Sequence, residues 1–211
     1  MEKQLTDVEV RVLGSLIEKE HATPDQYPLS LNSLVLACNQ KTSRNPVVNY
    51  NEETVREALK RLNQLGLVKI SSGPKQRVRK YLHNFKDVYF VNQPELAAMC
   101  VLMLRGPQTV GEIRQRSERI HEFASIEAVQ EALDSLMDRR EPLVTLLPKQ
   151  PGQKEARYAH LLCGEPQIPA EIPSVQNASA KNSDLEERVE KLEKMVAFLA
   201  EQLGLEIPED F

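Results

Sequence analysis

The chain contains one ten-residue pattern twice, as Glu53-Thr-Val-Arg-Glu-Ala-Leu-Lys-Arg-Leu62 and as Glu127-Ala-Val-Gln-Glu-Ala-Leu-Asp-Ser-Leu136, with six identical positions. In each stretch the shared Val, Ala, Leu and Leu are spaced i, i+3, i+4 and i+7, which places apolar side chains on one side of an α-helix. The pattern therefore predicts the same amphipathic helix twice, and this internal repeat guides the interpretation of the rest of the chain.

The repeat continues after each helix. Leu67–Ile70 corresponds to Leu143–Leu146, and Arg79–His83 corresponds to Ala156–His160, with a turn rich in Gly and Pro between the two segments of each pair. Two short apolar segments around such a turn predict a β-hairpin.

The sequence also predicts two helices before each repeated helix. Thr6-Asp-Val-Glu9 has the pattern of a capping box and starts a helix that runs to about Glu20, and a second helix starts from Ser30. In the later copy the corresponding helices are predicted at Pro94–Leu104 and at Thr109–Ser117. Both copies thus have the order helix, helix, helix, hairpin.

This order predicts a mainly α protein with small β-hairpins, an α+β fold of two tandem winged-helix domains of the helix-turn-helix type plus a C-terminal helix. The first domain is predicted at residues 1–90 and the second at 91–163. A flexible linker is predicted at 164–183 and an amphipathic helix at 184–211. The alternative is an unrelated pair of helical hairpins whose leucines coincide by chance.

The predicted C-terminal helix has a heptad pattern of apolar residues. Leucines recur every seven residues and a second apolar set follows each by four, which favours a parallel two-stranded coiled coil and hence a homodimer. The alternative is a helix that folds back onto its own domains. The predicted dimerisation residues are Leu185, Val189, Leu192, Val196, Leu199 and Leu203.

Composition and charge narrow the class of protein. The chain is 41% hydrophobic, and its N-terminus lacks the pattern of a secretory signal, so we expect a cytoplasmic protein without membrane association. The net charge of −4 is unevenly distributed. Residues 1–90 contain 14 Lys and Arg against 10 Asp and Glu, residues 91–163 contain 9 against 10, and residues 164–211 contain 4 against 11. A mildly basic N-terminal part thus precedes an acidic tail.

Sequence motifs of enzymes are missing. The chain has no phosphate-binding glycine loop, no zinc-protease motif and no nucleophile elbow, and its three cysteines are too far apart for a metal site. We therefore expect a protein that is not an enzyme and that uses no cofactor and no metal.

Basic residues of the first module, residues 1–90, indicate binding to double-stranded DNA. Arg56, Lys60 and Asn63 share one side of the repeated helix. Further cations lie on the wing, which is the predicted hairpin at 67–83, and in the loop at 41–50 before the helix. Long basic side chains suit phosphate, whereas Arg and Asn can read base edges. Glu52 and Glu53 argue against this hypothesis, because their carboxylates at the start of the helix would repel phosphate. The alternative is a solvated basic face that binds no ligand. The candidate DNA-binding residues are Lys41, Arg44, Arg56, Lys60, Asn63, Lys69, Lys75, Arg77, Arg79 and Lys80.

The second module, residues 91–163, has a different outer face on its repeated helix. Gln130, Asp134 and Met137 replace the three polar and basic residues of the first helix, and acidic neighbours add negative charge that DNA would repel. We therefore expect this module to contact a protein partner. The main hypothesis is a DNA-associating protein with regulatory character. The alternative is a protein–protein interaction scaffold that uses winged-helix surfaces without DNA binding.

Three segments resemble a known family. Leu36-Ala-Cys-Asn-Gln-Lys-Thr-Ser-Arg-Asn-Pro-Val-Val48, Val55-Arg-Glu-Ala-Leu59 and Gly106-Pro-Gln-Thr-Val-Gly-Glu-Ile-Arg114 are similar to the YceH family of uncharacterised bacterial proteins, over about residues 3–163. The resemblance implies a tandem winged-helix fold, a bacterial cytoplasmic setting and no assigned activity or catalytic residue. The loop 41–50 is longer than a helix-turn-helix turn. One alternative is that Val47 and Val48 fill the core and the loop merely covers it.

Overall fold

A computed structural model describes residues 4–71, 78–150 and 152–166, together with Met195. The described residues up to Pro166 form one compact unit. Lys75 and Arg77 lie outside the described residues, as does most of the predicted linker. The same is true of the predicted dimerisation residues Leu185, Val189, Leu192, Val196, Leu199 and Leu203. Their pairing stays a prediction.

The first module is built from helices and a small antiparallel sheet. Its strands have the order β1-β3-β2, so the last strand of the hairpin lies in the centre. A short 3₁₀ turn at Pro24–Gln26 precedes the first strand. The elements are α1 (Asp7–Ala22), β1 (Leu29–Ser30), α2 (Leu31–Cys38), α3 (Glu52–Gln64), β2 (Val68–Ser71), β3 (Lys80–His83) and α4 (Phe85–Tyr89).

The second module repeats this arrangement. Gln108 forms an isolated antiparallel bridge with Tyr158, and the two backbone N–O distances are 3.0 and 2.8 Å. This bridge corresponds to the pairing of Leu29 of β1 with Tyr81 in the first module. The residue after each of these, Ser30 or Thr109, caps the next helix. The elements are α5 (Gln93–Arg105), α6 (Val110–Ser117), α7 (Ile126–Met137), β4 (Val144–Leu147) and β5 (Arg157–His160).

A buried carboxylate fixes the start of the first module. Glu9 accepts a hydrogen bond from the backbone of Thr6 at 2.8 Å and Thr6 caps Glu9 in return, which completes the predicted capping box. Glu9 is only 3% exposed, and it also forms an ion pair with Arg61 of α3 at 2.8 Å. The cap of α1 therefore also holds α3 in place.

The second module also has a buried glutamate that caps its first helix and binds its third, but different residues donate to it. Glu95 completes a capping box with Asn92 and is again 3% exposed. Ser135 of α7 donates a hydrogen bond to Glu95 at 2.5 Å, and Arg139 forms an ion pair with it at 2.9 Å. Thus each module joins its first and third helices through a buried glutamate.

Helices α1 and α5 bring the two modules together. Every residue of Glu9–Ile17 and every residue of Glu95–Leu104 is buried, as expected for helices that are covered on all sides. At their crossing, the thiol of Cys100 donates to the carbonyl of Gly14 at 3.4 Å. A Cβ atom at Gly14 would lie 3.0 Å from Leu104 Cδ2, so only glycine fits this contact without displacement. Both modules thus share one hydrophobic core.

The helices and hairpins predicted before residue 164 are confirmed, with ends that differ by one or two residues. The amphipathic helix predicted at 184–211 lies outside the described residues except for Met195 and stays a prediction. The sequence did not predict β1, the Gln108 bridge or α4, because these segments are too short for periodicity and, unlike the hairpin strands, were marked by neither the repeat nor a turn. The α+β class is correct. No helix in the described ranges is both long enough and apolar enough to cross a membrane.

We predict that Gly14→Val destabilises the protein by about 1–3 kcal/mol, because the added atoms overpack the contact with α5. Gly111→Val is the matched control, since a Cβ at that helical glycine would meet only the Thr109 hydroxyl oxygen, at 4.0 Å. Urea denaturation of both variants measures the difference. Equal free energies of unfolding for the two variants would contradict a steric role for Gly14.

Candidate nucleic-acid interface

The loop between α2 and α3 has a defined conformation. Asn39 and Tyr50 close it with two hydrogen bonds: the Asn39 amide donates to the Tyr50 carbonyl and the Tyr50 amide donates to Asn39 Oδ1, each at 2.8 Å. Asn51 then caps α3 by accepting from the backbone of Thr54 at 2.8 Å. The loop thus directly precedes α3, the repeated helix that carries the candidate residues Arg56, Lys60 and Asn63.

Arg44 lies inside this loop, not on its surface. Its side chain has no exposed area, and its guanidinium donates to both carboxylate oxygens of Glu18, at 3.0 and 2.6 Å. It also donates to the carbonyls of Ala37 and Ser43 and to the side chain of Gln40. The prediction that Arg44 binds DNA is therefore wrong, because all of its hydrogen-bonding capacity is used within the protein.

A second buried arginine supports the same loop. Arg11 of α1 donates to the carbonyl of Cys38 at 3.2 Å and to that of Pro46 at 2.7 Å. Burial, and next the positive charge of Arg44, lower the pKa of Arg11. The two arginines thus satisfy carbonyls at the C-terminal end of α2, where helical carbonyls lack partners within the helix.

The loop also connects the modules. The backbone amide of Asn45 donates to the carbonyl of Leu104 at 2.9 Å, and its side chain donates to that of Arg105 at 3.4 Å. These carbonyls belong to the last turn of α5. Val47 is 56% exposed and Val48 is only partly buried and lies outside the core, so the alternative in which these two residues fill the core is wrong. The long loop serves to join α2 of the first module to α5 of the second.

The cations on α3 are engaged by neighbouring carboxylates. Arg56 contacts Glu52 and lies 3.3 Å from Glu53, and Lys60 lies 3.7 Å from Glu57. All of these side chains are exposed, so each pair is weak and could exchange. Asn63, the third predicted residue of this face, donates to the carbonyl of Val68 at 2.8 Å. The face of α3 is thus close to neutral.

The described cations on the wing and in the loop have fewer carboxylate partners than the cations on α3. Lys41 and Arg79 are exposed and Lys80 is half-buried, and none of the three forms an ion pair within residues 4–71, 78–150 and 152–166. Val68 and His83 pair across the sheet and are buried, so Lys69 and Lys80 lie on the opposite, outer face. Lys69 forms an exposed ion pair with Asp87 at 3.3 Å.

The corresponding helix of the second module differs as expected. Gln130 donates to Asp134 at 2.8 Å and also bonds the hydroxyl of Tyr158, and Met137 is half-buried against the core. Glu127 and Glu131 are exposed. The structure therefore provides no basic face on α7.

Two histidines occupy matching positions in the last strands of the modules, but their partners differ. His83 lies 2.8 Å from Glu20, and this hydrogen bond is the main cause of the lowered pKa of Glu20. His160 has no such acid, and its Nδ1 is buried without a hydrogen-bond partner. Burial lowers the pKa of His160 to about 4. The histidines thus have structural roles in both modules.

Comparison with known proteins places this α+β chain in a bacterial family without an assigned activity. Residues 5–153 match the model of the family described as "Protein of unknown function, DUF480". The UPF0502 protein of Geotalea uraniireducens (strain Rf4) is 51% identical over 93% of this chain and 90% of its own length. The UPF0502 protein of Pelobacter propionicus is 46% identical over 97% of this chain and 94% of its own length.

The chain belongs to this family, DUF480 or UPF0502, which is the YceH-like family of uncharacterised bacterial proteins. The resemblance noted from the loop and from the repeated helix is thereby confirmed.

Sequence reasoning missed the partners of Arg44. Glu18 lies 26 residues away and belongs to a helix whose visible signal is amphipathic spacing, so nothing local links the two charges. The one signal available was the polar loop itself, which is rich in groups that bind backbone carbonyls. Such a loop can organise its own fold as readily as it can bind a ligand.

We predict that Arg44→Ala destabilises the protein by about 3–5 kcal/mol, because it leaves Glu18 without its partner and uncovers the carbonyl of Ala37. Lys41→Ala in the same loop should change the free energy of unfolding by no more than about 0.5 kcal/mol, since its side chain is exposed. Urea denaturation measures both. A nearly neutral Arg44→Ala variant would show that the loop does not depend on this ion pair.

We predict that His160 makes the protein less stable in acid. Its pKa is about 4 in the folded chain, below the ordinary value of 6.5, so protons bind the unfolded chain more readily. The contribution is favourable above pH 6.5 and is lost as the pH falls toward 4. His160→Gln should therefore show a smaller loss of stability than the wild type between pH 7 and 4.5, measured by denaturation at each pH. Parallel curves for the two proteins would refute the assignment.

Proposed function

We propose that both modules are winged helices and that the chain is a non-enzymatic, DNA-associating protein with regulatory character. The element order α1-β1-α2-α3-β2-β3 and the strand order β1-β3-β2 support the winged-helix assignment of the first module. The bridge between Gln108 and Tyr158 supports the same assignment for the second, since it stands in place of β1.

One observation carries the proposal for DNA. The wing residues Arg79 and Lys80 and the loop residue Lys41 are cations without a carboxylate partner in the described part of the chain, whereas the cations of α3 have one. Unpaired cations can neutralise phosphate without first breaking an internal ion pair. We therefore place the main contact at the wing and loop of the first module.

The proposed contact is with the DNA backbone more than with the bases. Arg56 is held between Glu52 and Glu53, and Asn63 is committed to a carbonyl of its own module, so the groups best suited to reading base edges are occupied. Glu52 and Glu53 at the start of α3 would also repel phosphate. Binding should thus depend weakly on sequence. The acidic α7 excludes the matching face of the second module from this contact and leaves it for a protein partner.

The test is the salt dependence of binding to a fluorescent mixed-sequence duplex, measured by anisotropy from about 50 mM salt upward. The wild type should bind at low salt and weaken steeply as salt rises. Arg79→Ala combined with Lys80→Ala should reduce the log–log slope by about 2, because each phosphate neutralised contributes about 0.9.

The control is Arg140→Ala combined with Lys154→Ala, which removes the same charge from exposed positions of the second module. This variant should keep the wild-type slope. An equal reduction in both variants would remove the wing of the first module from the interface. A wild type that fails to bind at about 50 mM salt would reject DNA association itself.

A further inference from the structure

A cleft of about 570 Å³ lies where the loop of the first module meets α5 and α6 of the second. This volume is in the range of about 300–1,000 Å³ that is usual for small-molecule sites. Its walls come from both modules: α1 and the loop contribute Glu18, Thr42 and Ser43, and the second module contributes the remaining residues.

Three arginines line the cleft on the side of the second module. Arg105 is half-buried at the end of α5 and Arg119 is exposed beyond α6, and neither forms an ion pair with any other described residue. Arg116 lies 3.3 Å from Glu112, but Glu112 is also 2.7 Å from Arg157. The single negative charge of Glu112 is thus shared between two guanidinium groups, and the three groups together have a net positive charge.

The acidic residues of the cleft do not cancel this charge. Both oxygens of Glu18 are bound by the buried Arg44, so this carboxylate is already neutralised. Glu118 is exposed and is the remaining acid among the lining residues. Consistent with an excess of cations, the pKa of Arg105 is lowered, first by burial and then by the charge of Arg116.

Neutral donors and an apolar wall complete the cleft. The hydroxyls of Thr42 and Ser43 and the amide of Gln115 are available beside the arginines. Val101, Leu104 and Ile120 provide apolar contact for the uncharged part of a ligand. Guanidinium groups bind phosphate through paired hydrogen bonds, and the hydroxyls can reach oxygens that the arginines leave free.

We propose that this cleft binds a small phosphate-bearing ligand, a phosphate monoester with an apolar or aromatic remainder. A dianionic phosphate presents three terminal oxygens to three arginines and two hydroxyls, whereas a carboxylate presents two oxygens and a single charge. The concave site, lined by residues of both modules, suits a small molecule. Because the ligand touches both modules, its binding stabilises the folded chain.

The experiment measures thermal unfolding of the full chain against increasing inorganic phosphate and, separately, adenosine monophosphate, with ionic strength held constant by potassium chloride. The melting temperature should rise with a saturable dependence on each, and adenosine monophosphate should bind more tightly than phosphate because of its additional contact with the apolar wall. Isothermal titration calorimetry should give the same dissociation constants.

Variants locate the site. Arg119→Gln changes an exposed residue, so it should fold normally and weaken binding about tenfold, the equivalent of one lost charge-assisted hydrogen bond. Arg105→Gln combined with Arg119→Gln should abolish saturable binding. Arg140→Gln combined with Lys154→Gln removes the same charge outside the cleft and should bind as the wild type does.

Three results would overturn the proposal. The first is a melting temperature that follows ionic strength alone, with chloride as effective as phosphate. The second is binding that the cleft variants and the control variants weaken equally. The third is the absence of small-ligand binding together with weaker duplex binding by Arg119→Gln, which would assign these arginines to a DNA surface. Duplex binding by the wing variants is measured separately, so failure of one proposal does not imply failure of the other.

Discussion

The contact between Gly14 of α1 and the end of α5 is the constraint on which the rest of the structure depends. Because glycine has no side chain, the helices approach until Leu104 and Met103 occupy the space beside it. At that distance Asn45 can reach the carbonyls that end α5. The attachment of the loop to α5 and the cleft between the modules follow from this approach, since each needs the loop and α5 at a fixed separation.

Both modules contain a buried glutamate that joins their first and third helices, whereas the charges on their surfaces differ. In both modules a glutamate in the first turn of the first helix is buried, and side chains of the third helix or of the residues just after it bind this glutamate. Arg61 is the partner in the first module, whereas Ser135 and Arg139 are the partners in the second. A buried carboxylate needs hydrogen-bonding partners, and several donor sets can satisfy it. Selection on the core is therefore compatible with very different charges on α3 and α7.

Local patterns predicted the elements, while long-range contacts decided the candidate site. The spacing of Val55, Ala58, Leu59 and Leu62 located a helix and its buried side correctly, and all four are buried. The same local view assigned Arg44 to the surface, because the carboxylate and carbonyls that bind it come together only in the folded chain. For Arg56 the competing carboxylates were visible in the sequence, and the structure shows that they engage its guanidinium. Periodicity reports burial of apolar groups, but the availability of a charge depends on its neighbours in space.

The continuous burial of α1 and α5 makes each module depend on the other for its stability. A helix covered on every side has lost the solvent-facing stripe that a free-standing module retains. Separated from its partner, either module would present an apolar surface to water and invite aggregation. The two modules are therefore interdependent, because each one covers the first helix of the other.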